Sequence, residues 1–371
     1  MNKFFLFPIL VIFFALNSCS PVKSSPGVTS YPSPQPTLIP LKIPANQAAQ
    51  AAPPLVTQTN IPDASQIISP ENAVNLAETG KVILENPYRL YLPADNQSFI
   101  VSNQENIVRF RMSSLIQENQ VAIPEPGFLL DVSPNNNLIA VSSDYKSIDL
   151  ISLVTGQVVD TLQPQSQFSA GSFSPDGSSI AIVKVDNIGV DLYNISSGKL
   201  IDSFSGFETA APVYNAFIAP DGKTMIWVSR AYAQLMDMTT KQLGPEFSHE
   251  DFIAGLALSP DGQILATSAG GTMDDQFQPF IYLWDAHLGN QIDLIKLPES
   301  PAVSLAFSPD GQLLAATAAK TIQIWQVSTR KLITTLERPL ENVSFIAFSP
   351  DGRSLLTSAQ DSAVHIWQVA P

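Results

Sequence analysis

Cysteine is almost absent from this 371-residue sequence: Cys19 stands alone, which excludes a disulfide framework or a thiolate metal cluster within the chain. Charge is scarce as well, at 14% of residues, and leans acidic, with 19 Lys+Arg against 33 Asp+Glu and a formal net charge of -14. No basic run occurs, and affinity for phosphate backbones comes mainly from clustered Lys and Arg, so no nucleic-acid partner is expected. The longest apolar run, residues 4–16, has 13 residues, short of the ~20 that a spanning helix needs. Histidines number three, and no Gly-rich phosphate loop, Gly-x-Ser-x-Gly elbow or zinc-ligand spacing accompanies them. The expectation is therefore no cofactor, no metal and no catalytic set. Apolar residues, in contrast, make up 45% of the chain, enough to bury a sizeable core and too many for a disordered chain.

Residues 1–18 place Lys3 before the apolar run and end in small or polar residues, the layout of a signal peptide. Leu16-Asn17-Ser18-Cys19 resembles the lipobox of bacterial lipoproteins, with Asn17 departing from the small or β-branched residue usual there. The resemblance implies cleavage before Cys19, lipidation of its sulfur and an envelope location on the extracytoplasmic side. In a Gram-negative host, Ser20 in place of an Asp favours the outer membrane. The alternative is an ordinary cleaved secretory signal. Residues 19–73 are rich in Pro and poor in charge, a composition that favours extended segments and builds no packed core. They read as a tether between membrane and domain.

Residues 74–371 repeat themselves. Ser174-Pro175-Asp176-Gly177 recurs as Ala219-Pro220-Asp221-Gly222, Ser259-Pro260-Asp261-Gly262, Ser308-Pro309-Asp310-Gly311 and Ser349-Pro350-Asp351-Gly352, with weaker copies at Ser133-Pro134-Asn135-Asn136 and Leu92-Pro93-Ala94-Asp95. The prolines are spaced by 41, 41, 45, 40, 49 and 41 residues. Alternating apolar runs flank each turn, where Pro fixes φ and Gly permits a positive one. A β-rich strand such as Thr321-Ile322-Gln323-Ile324-Trp325 follows, and then a fourth strand beginning at Lys331. A period of ~40–45 residues with four strands and a Trp signature is the pattern of a propeller blade. The last unit ends after its third strand, while a spare strand at about 79–84 precedes the first unit. One strand from the N-terminal side completing the last blade removes an exposed edge. The expected fold is all-β, a closed ring of seven four-stranded antiparallel blades forming a monomeric propeller.

This pattern closely resembles the WD-repeat family. The family adds a His before the first strand and an Asp in the turn between strands two and three, bonded to a Ser or Thr and to the Trp. Only His249 falls at the His position; its blade offers Thr267 or Ser268, Trp284, and Asp274 or Asp275. Trp325 marks the next blade, and Asp361 and Trp367 retain two parts in the last. Pro164, Pro298 and Pro339 stand where other histidines would be, so apolar packing between blades must carry most of the ring. His287 reads as a turn residue and His365 as an alternating strand residue.

The 49-residue spacing locates an extended segment, residues 270–277, between strands two and three of the fifth unit. In the resembling family, loops at that position and those between blades form the face most used for partners. Aromatic and Arg residues dominate desolvated interfaces, which makes Tyr88, Arg89, Tyr145, Phe207, Arg230, Tyr232, Phe277 and Arg338 candidate contacts, beside Asp274 and Asp275. Each also fits an exposed or half-packed loop residue. The expected role is a membrane-anchored, non-enzymatic scaffold for unidentified protein partners. Alternatives are an envelope-assembly subunit and a propeller hydrolase or lyase. An enzyme reading would gain from convergence of three or more of His249, Asp274, Asp275, Asp144 and Asp361.

Overall fold

The computed structural model describes residues 66–103, 105–134, 137–185, 189–205, 213–337 and 342–370. The Ser-Pro-Asp-Gly turns show why those four residues recur. The Asp carboxylate accepts from the Ser hydroxyl, at 2.5 Å for Ser174–Asp176 and 2.7 Å for Ser349–Asp351, and from the backbone N–H two residues on. The Ser Oγ in turn accepts the N–H that opens the next strand, as from Ile264 at 2.8 Å. Gly177, Gly222, Gly262, Gly311 and Gly352 all sit at φ between 67° and 72°, which glycine adopts without a Cβ penalty. Asn96 and Asn137, one residue beyond the two weaker copies, take a left-handed conformation there, which Asn tolerates better than most residues.

These turns link strands into seven four-stranded antiparallel sheets. Six are continuous in sequence, spanning 89–122, 128–162, 168–205, 215–248, 253–296 and 305–336, and are numbered blades 1 to 6. Blade 7 joins Val343–Phe348, Leu355–Ala359 and Ala363–Val369 to the N-terminal strand Leu76–Ile83. That closing strand runs antiparallel to Ala363–Val369 from Leu76 opposite Val369 to Ile83 opposite Ala363, with a bulge between Glu78 and Gly80. It begins three residues before the expected 79–84, because the bulge keeps the pairing in step beyond Gly80. The chain is a seven-bladed β-propeller.

At five of the seven junctions the first strands of successive blades contact one another, and these strands form the inner ring. The alternating strand directions put the turns between strands one and two, and between three and four, on one rim, here the turn face. Turns between strands two and three and the blade-to-blade links lie on the other, the loop face. The chain enters at the turn face: Ile68 N–H donates to Gly352 O at 2.8 Å, and Ile68 and Ala73 are buried between blades 6 and 7.

Seven apolar clusters hold the ring, one at each junction between blades. Period-2 alternation lets one strand serve two of them. In blade 5, Leu265 packs toward blade 4 while Ala266 packs toward blade 6. The junction of blades 7 and 1 contains Val82 of the closing strand with Phe99 and Phe110, whose rings stack at 5.2 Å. Replacing Phe99 by Ala should therefore cost about 3–5 kcal/mol. Ile201→Thr, on an exposed outer strand, should stay within about 0.5 kcal/mol of wild type; urea unfolding of both variants checks the contrast.

Candidate functional site

The loop face collects most of the sequence candidates. Tyr145 lies at φ 58 in the blade 2 turn, its ring stacked on Phe128 at 4.5 Å. Arg230 is exposed in the blade 4 turn, and its carbonyl accepts the Ile253 N–H of blade 5. Tyr232 is half-buried at the start of the next strand, and half-buried Tyr88 donates its N–H to Ser102 O. Arg89 is not a loop residue: it opens the inner strand Arg89–Tyr91, beside Tyr91 and beside Asp131 of the neighbouring inner strand. Burial pushes the Tyr91 phenol up to about 12 and raises the Asp131 carboxyl, against the pull of Arg89. Asp131 also accepts from Ser172 Oγ and Phe173 N–H, so this half-buried group links blades 1, 2 and 3 at the inner ring. Phe207, Arg338, Cys19 and the whole of residues 1–65, with the signal, lipobox and most of the tether, lie outside the described residues.

The extended segment is a hairpin. Strands Ile264–Met273 and Gln276–Asp285 stay in register to the tip pair Met273–Gln276, whereas blade 7 turns between Ala359 and Ala363. Asp274 and Asp275 form the tip at φ 52 and 59. The glycine pair beneath it is required by close approach. A Cβ on Gly270 would fall 2.2 Å from the Phe277 ring, and one on Gly271 would fall 2.2 Å from the Tyr282 hydroxyl. Glu250, from the preceding link, braces the finger by accepting from both the N–H and the hydroxyl of Thr272, at 3.0 and 2.8 Å. Phe277 is left 62% exposed and Met273 42%.

Below the hairpin lies the His-Thr-Trp network. Trp284 Nε1 donates to Thr267 Oγ1 at 2.8 Å, and Thr267 lies 3.0 Å from His249 Nε2. The imidazole stands edge-on to Tyr282 and Trp284, and burial lowers its pKa to about 4. Asp274 and Asp275, considered above as members, are six or more residues further along the hairpin, roughly 20 Å at 3.3 Å per residue. Gln278 instead stands six residues before Trp284, as Asp361 does before Trp367. Gln278 Oε1 and His249 Nδ1 are both buried without a hydrogen-bond partner among the described residues.

Blade 7 solves the same problem differently. Trp367 Nε1 donates to Thr357 Oγ1 at 3.1 Å, while His365 sits on the strand itself. Its Nδ1 lies 3.1 Å from Glu78 of the closing strand and its Nε2 3.1 Å from Asp361, which also holds Lys81 at 2.9 Å. Burial alone would raise the Asp361 carboxyl, but Lys81 and His365 beside it bring it below the usual carboxylate range. Sequence reading placed His365 as a plain strand residue, because its partner Glu78 is 287 positions away. His249 and the hairpin aspartates belong to blade 5, Asp144 to a blade 2 turn and Asp361 to blade 7, and among the described residues no three or more His, Cys, Asp or Glu are placed so that they could hold a metal ion. No helix there is long and apolar enough to cross a membrane.

Two outcomes follow from these networks. The unfolded His249 imidazole takes a proton near 6.5 and the folded one only near 4, so the unfolded state binds more protons between those values. Stability should accordingly fall as pH drops from 6.5 toward 4, by about 3 kcal/mol from this group. The His249→Gln variant should lose that slope in urea titrations at a series of pH values. In blade 6, Trp325 pairs with Leu314 as Trp284 does with Leu265, which puts Ala316 where Thr267 stands, and Trp325 Nε1 is buried without a hydrogen-bond partner among the described residues. Ala316→Ser should supply the missing acceptor and raise unfolding free energy by about 1 kcal/mol.

Comparison with known proteins agrees with this architecture. The WD40 family, described as WD domain, G-beta repeat, matches residues 293–326 and 330–368. Each stretch runs from the outer strand of one blade through the third strand of the next, which is the offset that lets Leu76–Ile83 close the ring. An uncharacterized WD repeat-containing protein of Synechocystis sp. is 28% identical over 153 residues, covering 38% of this chain and 41% of that relative. The chain thus matches about two fifths of the length of this curated relative. With blades 6 and 7 matched by the family and all seven blades built alike, this protein is a seven-bladed β-propeller that carries WD40 repeats.

Proposed function

We propose that this protein is a lipid-anchored, extracytoplasmic scaffold that binds protein partners on its loop face and catalyses no reaction. The observation that carries the reading is the blade 5 hairpin. It is braced by Glu250 and holds Phe277 and Met273 out to solvent, and exposed aromatic anchors are what interfaces use. WD40 propellers commonly mediate protein–protein interactions, which favours the same role. The lipobox resemblance at Cys19 supplies the anchor, since several acyl chains on one residue hold a protein stably at a membrane. The residues between Cys19 and Gln66 would reach up to about 150 Å when extended. Because the chain enters the ring at the turn face, the loop face is the rim turned away from that entry.

Two measurements check this. Cys19→Ala should move the protein from the membrane to the soluble envelope fraction. Tagged, lipidated protein should retain a specific partner from solubilised envelope membranes, and a variant whose residues 270–279 are replaced by the three-residue turn 360–362 of blade 7 should lose it. Retention by both forms would place binding elsewhere, and no partner with either would remove the scaffold reading.

A further inference from the structure

The blade 5 hairpin has two unlike edges. Along Ile264–Met273, the inner neighbour Ile253–Leu258 ends its pairing at Ala269, and beyond that Glu250 takes the outward N–H of Thr272. Along Gln276–Asp285, the outer neighbour Gln291–Lys296 pairs no further than Phe280 opposite Lys296, followed by the Leu297 N–H on Pro279 O. Residues 276–278 therefore carry no strand on their outer side among the described residues. Pro279 offers no N–H, so the open stretch is bounded at its foot. Unpaired edges are templates for another strand, and proteins usually blunt them with Lys, Pro or a covering loop. Here the one Lys beside the edge among the described residues is Lys296, opposite Phe280 at its foot; no Lys or Arg occurs in residues 249–280, where Asp274 and Asp275 form the tip and Glu250 braces the inner side. The exposed apolar side chain at this edge is Phe277; Met273 stands on the other strand and the opposite face of the hairpin.

We propose that this edge takes an extended partner segment in which basic and apolar residues alternate, added as a fifth strand at the outer end of blade 5. Main-chain bonds to the outward N–H and C=O of Phe277 set its register, the Phe277 ring receives its apolar side chains, and Asp274 and Asp275 at the tip select its Lys or Arg. Strand addition of this kind draws affinity from the backbone and specificity from alternate side chains. Complementary charge speeds the encounter and makes it sensitive to salt. The inference rests on the scaffold reading and names the chemistry of its partner.

The test uses the full chain in detergent micelles and a fluorescein-labelled peptide, Lys-Val-Lys-Phe-Lys-Val-Lys, followed by anisotropy. Saturable binding is expected, at least tenfold weaker to Phe277→Ser and to the Asp274→Asn/Asp275→Asn pair, weaker in high salt, and accompanied by slowed amide exchange at Phe277. A peptide with Glu in place of Lys should not bind, nor should one N-methylated at alternate residues. Equal affinity for wild type and for the three-residue-turn variant, undiminished binding of the N-methylated peptide, or no binding at all would each overturn the proposal. Partner capture from membranes that needs the hairpin yet is unaffected by Phe277→Ser and the aspartate pair would overturn it while leaving the scaffold reading standing.

Discussion

Everything in this molecule depends on one pairing between remote parts of the chain, Leu76–Ile83 with Ala363–Val369. Each blade presents apolar side chains on both of its faces, so no blade can bury its surface with one neighbour alone. The seven clusters are complete only when blade 7 also meets blade 1, and the closing strand contributes Val82 to that junction. The same strand carries Glu78 and Lys81 to the His365–Asp361 group, so a polar latch and an apolar seal act at one place. The entropy of closing so long a loop grows only with the logarithm of its length, which allows a short strand to hold the whole ring. Closure also removes the one inner-blade edge that the repeat pattern would otherwise leave open.

Polar links between neighbouring elements differ from blade to blade, and that variation is informative. Blade 5 uses His249, Thr267 and Trp284; blade 7 keeps the Thr–Trp bond and moves its histidine onto the strand; blade 6 has only the tryptophan. At the inner ring, Asp131 reaches Phe173 in one place and Ser304 receives the Ile346 N–H in another. Buried polar groups need partners, but nothing requires the same partners in every repeat. Apolar burial at every junction supplies the common term, and the polar groups adjust locally.

Fold and closure were legible in the sequence because both rest on short-range rules. The Ser-Pro-Asp-Gly turn is satisfied by atoms within five residues, alternation marks each strand, and a spare strand at one end answers a missing one at the other. Features built from distant positions were not legible. His365 gains its meaning from Glu78, and Arg89 from Asp131 on the neighbouring inner strand, pairings that no local spacing announces. Asp274 and Asp275 invited assignment to the His249 network because the extended segment 270–277 read as a loop between strands two and three, not as a continuation of both strands. Once the strands are known to continue, position counting from Trp284 leads to Gln278. The pair Gly270–Gly271 reads as a flexible loop in sequence, yet it is a rigid strand kept bare so that Phe277 and Tyr282 can lie across it.

That last arrangement explains why the loop face can bear a new feature at little cost to the ring. A hairpin lengthens by whole pairs, each added residue facing another across the ladder, so the register below it is preserved: Leu265 still opposes Trp284, as Leu355 opposes Trp367 in the blade with the short turn. The clusters that stabilise the propeller lie beneath the rim and do not sense the extension. On the turn face the same insertion would disturb the Asp-centred bonds that define where each first strand ends and each second begins. Stability is thereby concentrated in the junctions and the turn face, and the loop face is free to vary. A side chain as costly to expose as Phe277 can be held there, ahead of any partner, because the strands that carry it are fixed by pairing and by Glu250, and its ring rests on the bare Gly270.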